Sequence, residues 1–334
     1  MRPLGQEGRD VDARQDVQVE TRYAEVPPDL GATIARPGAD SLAPDGGWVP
    51  GPVPVEEGAR PRAASTVMVV RDVDRDADGD EETDDARPDE DGTEHDAVEV
   101  FMLRRRASME FAPNRMVFPG GGVDERDADD DLPWAGPAPQ QWAQWLAADE
   151  AEARELVVAA AREVFEECGV LLAGPDEQTL VGDVSGEEWE AERDRLLSRE
   201  QSFAEMLIRR GFVLRTDLLR PWAHWVTPVF EPRRYDTRFF AARLPEGQTP
   251  DDRTSEADTA DWFRPRALLA EVAHGRASMM PPTVVCLEQI AAATGAEEFL
   301  ESAPPMLRVM PVLERTESGE LRLRMDLPVS GERA

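Results

Sequence analysis

Eleven residues, Ala160-Ala-Arg-Glu-Val-Phe-Glu-Glu-Cys-Gly-Val170, constrain this chain more than any other stretch. On a helix, Glu163, Glu166 and Glu167 fall within about 100° of one another, whereas Val157, Val158, Ala161, Val164, Phe165 and Cys168 collect on the other side. One face is core and the other is concentrated negative charge. Carboxylates this close repel one another unless a cation joins them, and hard divalent cations are held by oxygen ligands of this kind. Taken alone, an acidic face is most simply solvated surface. Context changes its standing: Phe118-Pro-Gly-Gly-Gly122 lies upstream, and Gly169 follows where a helix end wants a residue that tolerates positive φ.

Together these residues resemble the Nudix hydrolase signature, G-x5-E-x7-R-E-U-x-E-E-x-G-U with U aliphatic. Its second half stands complete as Arg162, Glu163, Val164, Glu166, Glu167, Gly169 and Val170. Its first half is interrupted. Counted from Gly121, the signature expects the Arg 14 residues on, whereas Arg162 is 41 on, an excess of 27. Counting forward from Gly121 puts Asp127 at the early Glu position; counting back from Arg162 gives Arg154, with Glu155 one place away. The early acidic position is left unassigned. Further stretches resemble the coenzyme A diphosphatase group of nucleoside diphosphate-linked moiety X motif 19, whose members similarly split the box. They are Val117-Phe-Pro-Gly-Gly121, Ala160 to Leu172, Ala223 to Pro228, Arg233 to Phe240, Asp261-Trp262 with Pro265, and Pro281-Pro-Thr283, so the resemblance spans about residues 63 to 330.

The resemblance implies an α/β fold, a Nudix-type α/β/α sandwich with a mixed β-sheet, long insertions and a disordered N-terminal tail. It implies metal-dependent hydrolysis of a nucleoside diphosphate linked to another moiety, with Mg2+ or Mn2+ as cofactor. Glu163, Glu166 and Glu167 would form the metal cluster, and Arg162 would orient a box carboxylate. Gly120 or Gly121 would lend a carbonyl oxygen, and Glu152 or Glu155 could complete the metal shell. The general base stays open among Glu163, Glu155 and Glu256. Coenzyme A or acyl-coenzyme A is the leading substrate. The alternatives are ADP-ribose or a dinucleotide cofactor, and a catalytically inactive binding module.

The formal charge of −32 sits largely in runs such as Asp72 to Asp91 and Asp124 to Asp131. Such a chain repels phosphate backbones, which argues against nucleic acid as a partner. A small nucleotide remains compatible, because a bound cation and a few arginines can invert the local field. All 37 basic residues are Arg. Arg104 and Arg105, after a strand-like run, and Arg234 in Arg233-Arg-Tyr are candidate phosphate contacts, since Arg offers planar paired donors. Arg104 and Arg105 read equally well as a solvated strand end. His224, between Trp222 and Trp225, is more simply a hydrogen-bonded sheet histidine than a ligand. Cys168 and Cys286 form no metal or disulfide pattern. With no apolar leader and no membrane-length run, the expected location is the cytoplasm. A homodimer is left open.

Residues 1 to about 60 read as a mostly disordered tail, and 61–330 as one domain with insertions at about 72–97, 124–150 and 182–212. Ala63 to Arg71 and Val98 to Leu103 have strand character, as do Met116 to Phe118, Leu218 to Pro228, Arg233 to Ala242 and the stretch after Glu256. Helices are expected at Gln140 to Ala147, Glu150 to Cys168, Glu187 to Arg210, from Pro265, and from Pro281 to about Ala293. Leu307 to Leu313 and Leu321 to Leu327 alternate as a closing hairpin would.

Overall fold

The computed structural model describes residues 17–26, 50–52, 59–74, 96–107, 114–253 and 257–329. Its strands, in chain order, are β1 (Val19–Glu25), β2 (Gly51–Pro52), β3 (Arg62–Asp72), β4 (Val98–Arg105), β5 (Met116–Val117), β6 (Gly120–Gly122), β7 (Trp134–Ala135) and β8 (Ala173–Gly174). There follow β9 (Val213–Arg215), β10 (Leu219–Val226), β11 (Tyr235–Arg243), β12 (Ala257–Phe263), β13 (Arg308–Val309), β14 (Val312–Arg315) and β15 (Leu321–Pro328). The helices are α1 (Pro139–Leu146), α2 (Glu150–Cys168), α3 (Glu187–Leu197), α4 (Phe203–Arg210), α5 (Pro265–Ala273), α6 (Pro281–Ala291) and α7 (Ala296–Glu301).

The central sheet runs β12-β4-β3-β11-β10-β13, with β5 on β4 and β6 on β3. It is mixed: β3 pairs parallel with β11 and antiparallel with β4. Its middle strands are apolar at successive positions because both faces are covered. On β3, Val67 and Val69 join one buried cluster and Met68 and Val70 the other. The first cluster is closed by α1, α2, α3 and α4 through Trp142, Val157, Val164, Phe165, Trp189 and Phe203. The second is closed by Leu268 of α5, Cys286, Leu287 and Ile290 of α6, and Phe299 of α7. The molecule is thus an α/β/α sandwich around a mixed sheet, and α2 lies against β3, where the Ser65 hydroxyl donates to the Leu156 carbonyl at 2.6 Å.

Three expectations are amended. The run Glu187 to Arg210 is two helices: Arg199 takes φ 62° and Ser202 caps α4 with a capping box to Glu205, so the chain turns where an apolar stripe alone suggested continuity. The closing hairpin exists between β14 and β15, but Arg308–Val309 leaves it to pair parallel with β10. Within the expected tail, β1 pairs antiparallel with β15, and β2 pairs with β14. Most other residues before 60, and the greater part of the expected 72–97 insertion, lie outside the described residues. The 182–212 stretch is part of the core, burying Trp189, Leu196, Phe203, Met206 and Leu207.

Candidate active site

The carboxylate helix is fixed at both ends by local chemistry. Asp149 caps α2, its carboxylate accepting from the Glu152 N–H at 2.8 Å. Gly169 ends it at φ 70°, its N–H donating to the Phe165 carbonyl at 3.0 Å. Between these ends, the charged face is turned inward. Glu163 and Glu167 are buried and Glu166 is partly so.

What covers that face is the glycine run. In β6, Gly120 lies opposite Thr66 and Gly121 opposite Ser65. The Gly120 N–H donates to Glu167 Oε2 at 2.7 Å. A Cβ on Gly121 would stand 2.5 Å from Glu163 Oε1, and one on Gly120 would stand 2.4 Å from the Ser65 carbonyl oxygen. Only glycine lets backbone approach this closely to both helix carboxylate and neighbouring strand.

Arg162 organises the carboxylates. Its Nε and Nη2 donate to the two oxygens of Asp127 at 2.8 and 2.9 Å, and Nη2 also reaches the Gly122 carbonyl at 2.9 Å. Its Nη1 donates to Glu163 Oε1 at 2.7 Å and lies 3.4 Å from Glu166 Oε2. Asp127, the residue reached by counting forward from Gly121, lies on the short 3-10 turn Glu125–Ala128. Asp124 caps that turn and takes a fork from Arg126, through Nε at 2.9 Å and Nη2 at 3.1 Å. Arg199 also reaches Asp124.

One guanidinium serving three carboxylates leaves an excess of buried negative charge. Burial, with repulsion from Glu166 and Asp127 and against the pull of Arg162, pushes Glu163 up to about 7. Burial and the charge of Asp127 also raise Glu166, again against Arg162. Burial works against the Arg162 cation, but Asp127 and the two glutamates more than offset it and its pKa is raised. Glu155 sits two turns earlier on α2, raised by burial and by Asp127, Asp149 and Glu152.

Oxygen donors in net negative excess fit a hard divalent cation. Among the described residues, no three His, Cys, Asp or Glu side chains form a ready-made cage. Mg2+ does not require one, because it usually binds through one or two carboxylates plus water and substrate phosphates. One or two carboxylates drawn from Glu163, Glu166 and Glu167 would suffice for that open arrangement.

The other expected residues are distributed as follows. On β4, Phe101 and Leu103 face the α2 side and Met102 the other. By strand alternation, Arg105 points to the α2 face and the exposed Arg104 to the opposite one. Arg234 is buried and donates to the Thr227 carbonyl at 3.0 Å and the Ala59 carbonyl at 3.0 Å; as a phosphate contact it is displaced by this structural role. Glu256 lies outside the described residues. His224 is a hydrogen-bonded sheet histidine, its Nε2 lying 2.7 Å from Asp236 Oδ1, beside Arg238. Both cysteines are buried free thiols. A cavity of about 270 Å³ between β1, β10 and α6, lined by Arg22, Trp225 and Glu288, holds none of the candidate residues.

The family description "NUDT19 Nudix domain" matches residues 143–290. A Caenorhabditis elegans protein assigned to the nudix hydrolases, as number 7, is 29% identical over 191 residues, covering 57% of this chain and 55% of that protein. The chain thus spans little more than half of that relative. The acyl-coenzyme A diphosphatase NUDT19 of Xenopus laevis is 26% identical over 259 residues, 66% of this chain and 68% of the relative. Among solved structures, a NUDIX hydrolase from Alicyclobacillus acidocaldarius superposes with a TM-score of 0.58 at 27% identity, covering 73% of this chain and 96% of that one. In its α/β/α sandwich, half-box, glycine strand and Arg-gripped carboxylates, the chain is similar to the Nudix hydrolases. Within them the chain resembles the NUDT19 group.

Proposed function

We propose that this chain is a Mg2+- or Mn2+-dependent pyrophosphatase that cleaves coenzyme A or acyl-coenzyme A at its pyrophosphate. The observation that carries the reading is the cluster of Glu163, Glu166 and Glu167 under Gly120–Gly122, with Arg162 as its directly contacting cation. The substrate class rests on likeness to the Xenopus laevis acyl-coenzyme A diphosphatase. Glu166 and Glu167, with Glu163, would hold the cation. A bound divalent cation neutralises phosphoryl oxygens and acidifies water.

The chain's own residues would do the rest. Arg162 holds Glu163 and Glu166 in place, and the Gly120 N–H fixes one oxygen of Glu167. Glu163, tuned towards neutrality, suits a proton acceptor for the attacking water. Glu155, raised by its burial and by neighbouring carboxylates, is the second candidate on α2. Arg105 offers a guanidinium to phosphate oxygens from the α2 side of the sheet. A small nucleotide partner is compatible with the acidic charge once a cation and arginines offset it, and the setting would be the cytoplasm; among the described residues no helix is long and apolar enough to cross a membrane.

The test is product analysis by mass spectrometry on coenzyme A, an acyl-coenzyme A, ADP-ribose and NAD, with Mg2+ or Mn2+, for wild type and Glu167→Gln. The expected result is a 3′,5′-adenosine diphosphate and a phosphopantetheine product, formed at least a hundredfold more slowly by the variant. Cleavage of ADP-ribose or NAD in preference moves the substrate class, and no cleavage at all rejects the enzyme reading.

A further inference from the structure

The C-terminal end of the carboxylate helix is held by a residue outside the box. Arg193, on α3, has a side chain only 5% exposed. Its Nη2 donates to the Glu166 carbonyl at 3.1 Å, with Nε 3.4 Å from the same oxygen. Its Nη1 lies 2.8 and 2.6 Å from the two carboxylate oxygens of Asp251. Asp251 in turn donates its backbone N–H to the Cys168 carbonyl at 3.1 Å. Carbonyls in the last turn of a helix have no partner within it, and the helix dipole places negative charge there. A buried guanidinium answers both needs.

The neighbours are shaped around this contact. A Cβ on Gly169 would come within 3.1 Å of Arg193 Nη1, so the glycine that ends α2 also leaves room for the arginine. Gln248 laces the same loop onto the chain after α2, accepting from the Leu171 N–H at 2.8 Å and donating to the Leu171 and Val181 carbonyls at 2.9 Å. Glu166 is therefore fixed twice: Arg162 approaches its side chain and Arg193 its carbonyl. Glu167 follows in the same turn.

We propose that Arg193 is a positioning residue for the reaction: by capping the Glu166 carbonyl and bridging to Asp251, it sets the orientation in which Glu166 and Glu167 meet the cation. This rests on reading those two glutamates as cation ligands. A neighbour that orients ligands typically changes metal affinity by 10- to 100-fold when lost.

The test uses the full chain, freed of metal, as wild type, Arg193→Ala, Arg193→Lys and Asp251→Asn. Mn2+ affinity is read by electron paramagnetic resonance, thermal stability by circular dichroism, and kcat and KM on the substrate that wild type cleaves. Arg193→Ala is expected to weaken Mn2+ binding about tenfold or more and to lower kcat with KM within twofold. Arg193→Lys, which keeps the charge, should recover part of both, and Asp251→Asn should lose a few-fold. A lowered melting temperature with Mn2+ affinity and kcat at wild-type values makes Arg193 merely structural and overturns the proposal. If Arg193→Ala does not fold, wild-type Mn2+ affinity in Arg193→Lys and Asp251→Asn together overturns it. Wild type that binds no Mn2+ overturns both this proposal and the cation reading beneath it, which separates the two failures.

Discussion

Arg162 and Asp127 form a forked pair at 2.8 and 2.9 Å although 35 residues separate them, and their side chains are only 8% and 2% exposed. Removing one partner of a buried ion pair leaves the other charge uncompensated, at a cost of about 3 kcal/mol or more. Asp127→Ala should therefore lower urea-unfolding stability by about that amount. Activity should fall with it, because an unanchored Arg162 no longer holds Glu163 and Glu166. A variant with wild-type stability would mean that the pair does not organise the site.

Glu163 makes stability depend on pH in an uncommon direction. Its folded pKa, about 7, lies above the ordinary 4.5, so between those values the native state binds more protons than the unfolded chain. The contribution is fully present below about pH 4.5 and is lost as pH rises through 7. The difference is on the order of 3 kcal/mol. Metal-free wild type should lose stability relative to Glu163→Gln over this window, as denaturant titrations at pH 5 and 8 would show. Because cation binding needs the ionised carboxylate, Mg2+ or Mn2+ should raise the melting temperature more at pH 8 than at pH 5. Parallel profiles for the two proteins would refute the assignment.

The glycines of β6 should separate activity from folding. Gly121→Ala puts its methyl against the movable end of the Glu163 side chain, whereas Gly120→Ala puts it against the Ser65 backbone. The first should cost at least tenfold in kcat with a small drop in melting temperature. The second should lower the melting temperature by several degrees, since backbone cannot swing aside. Comparing the two variants by calorimetry and steady-state assay decides the point.

Arg234 and Arg105 should differ in kind. Arg234→Met breaks charge-assisted bonds to the Thr227 and Ala59 carbonyls and should lower stability by about 2 kcal/mol while leaving KM unchanged in the protein that remains folded. Arg105→Met should raise KM severalfold. The reverse pattern would restore Arg234 as a substrate contact.

Much of the site was legible because box chemistry is local. A periodicity of 3.6 placed three glutamates on one face, and a single glycine marked the end of α2. Asp127 could be reached by counting from Gly121, yet counting back from Arg162 led elsewhere, since the box is closed by a contact in space across an excursion. Arg193 and Arg234 were harder: each donates to backbone carbonyls, those of Glu166 and Ala59, which carry no side-chain signature, and the carboxylate partner of Arg193, Asp251, is remote in sequence. The break between α3 and α4 lay hidden because Arg199 takes a left-handed φ without being glycine.

The excursion between Asp127 and Arg162 leaves the site and returns to it, tied off at the point where guanidinium meets carboxylate. Seen from the chemistry, the intervening chain has no prescribed length. It is constrained instead from the other side, where Trp142 and Leu146 fill the core and the Leu146 carbonyl accepts from Arg238 at 3.1 Å. Outside β7, α1 and the Arg154 contacts, a change in the length of this excursion is therefore one that Glu163, Glu166 and Glu167 would not register, whereas shortening α1 would be felt as lost packing far from them.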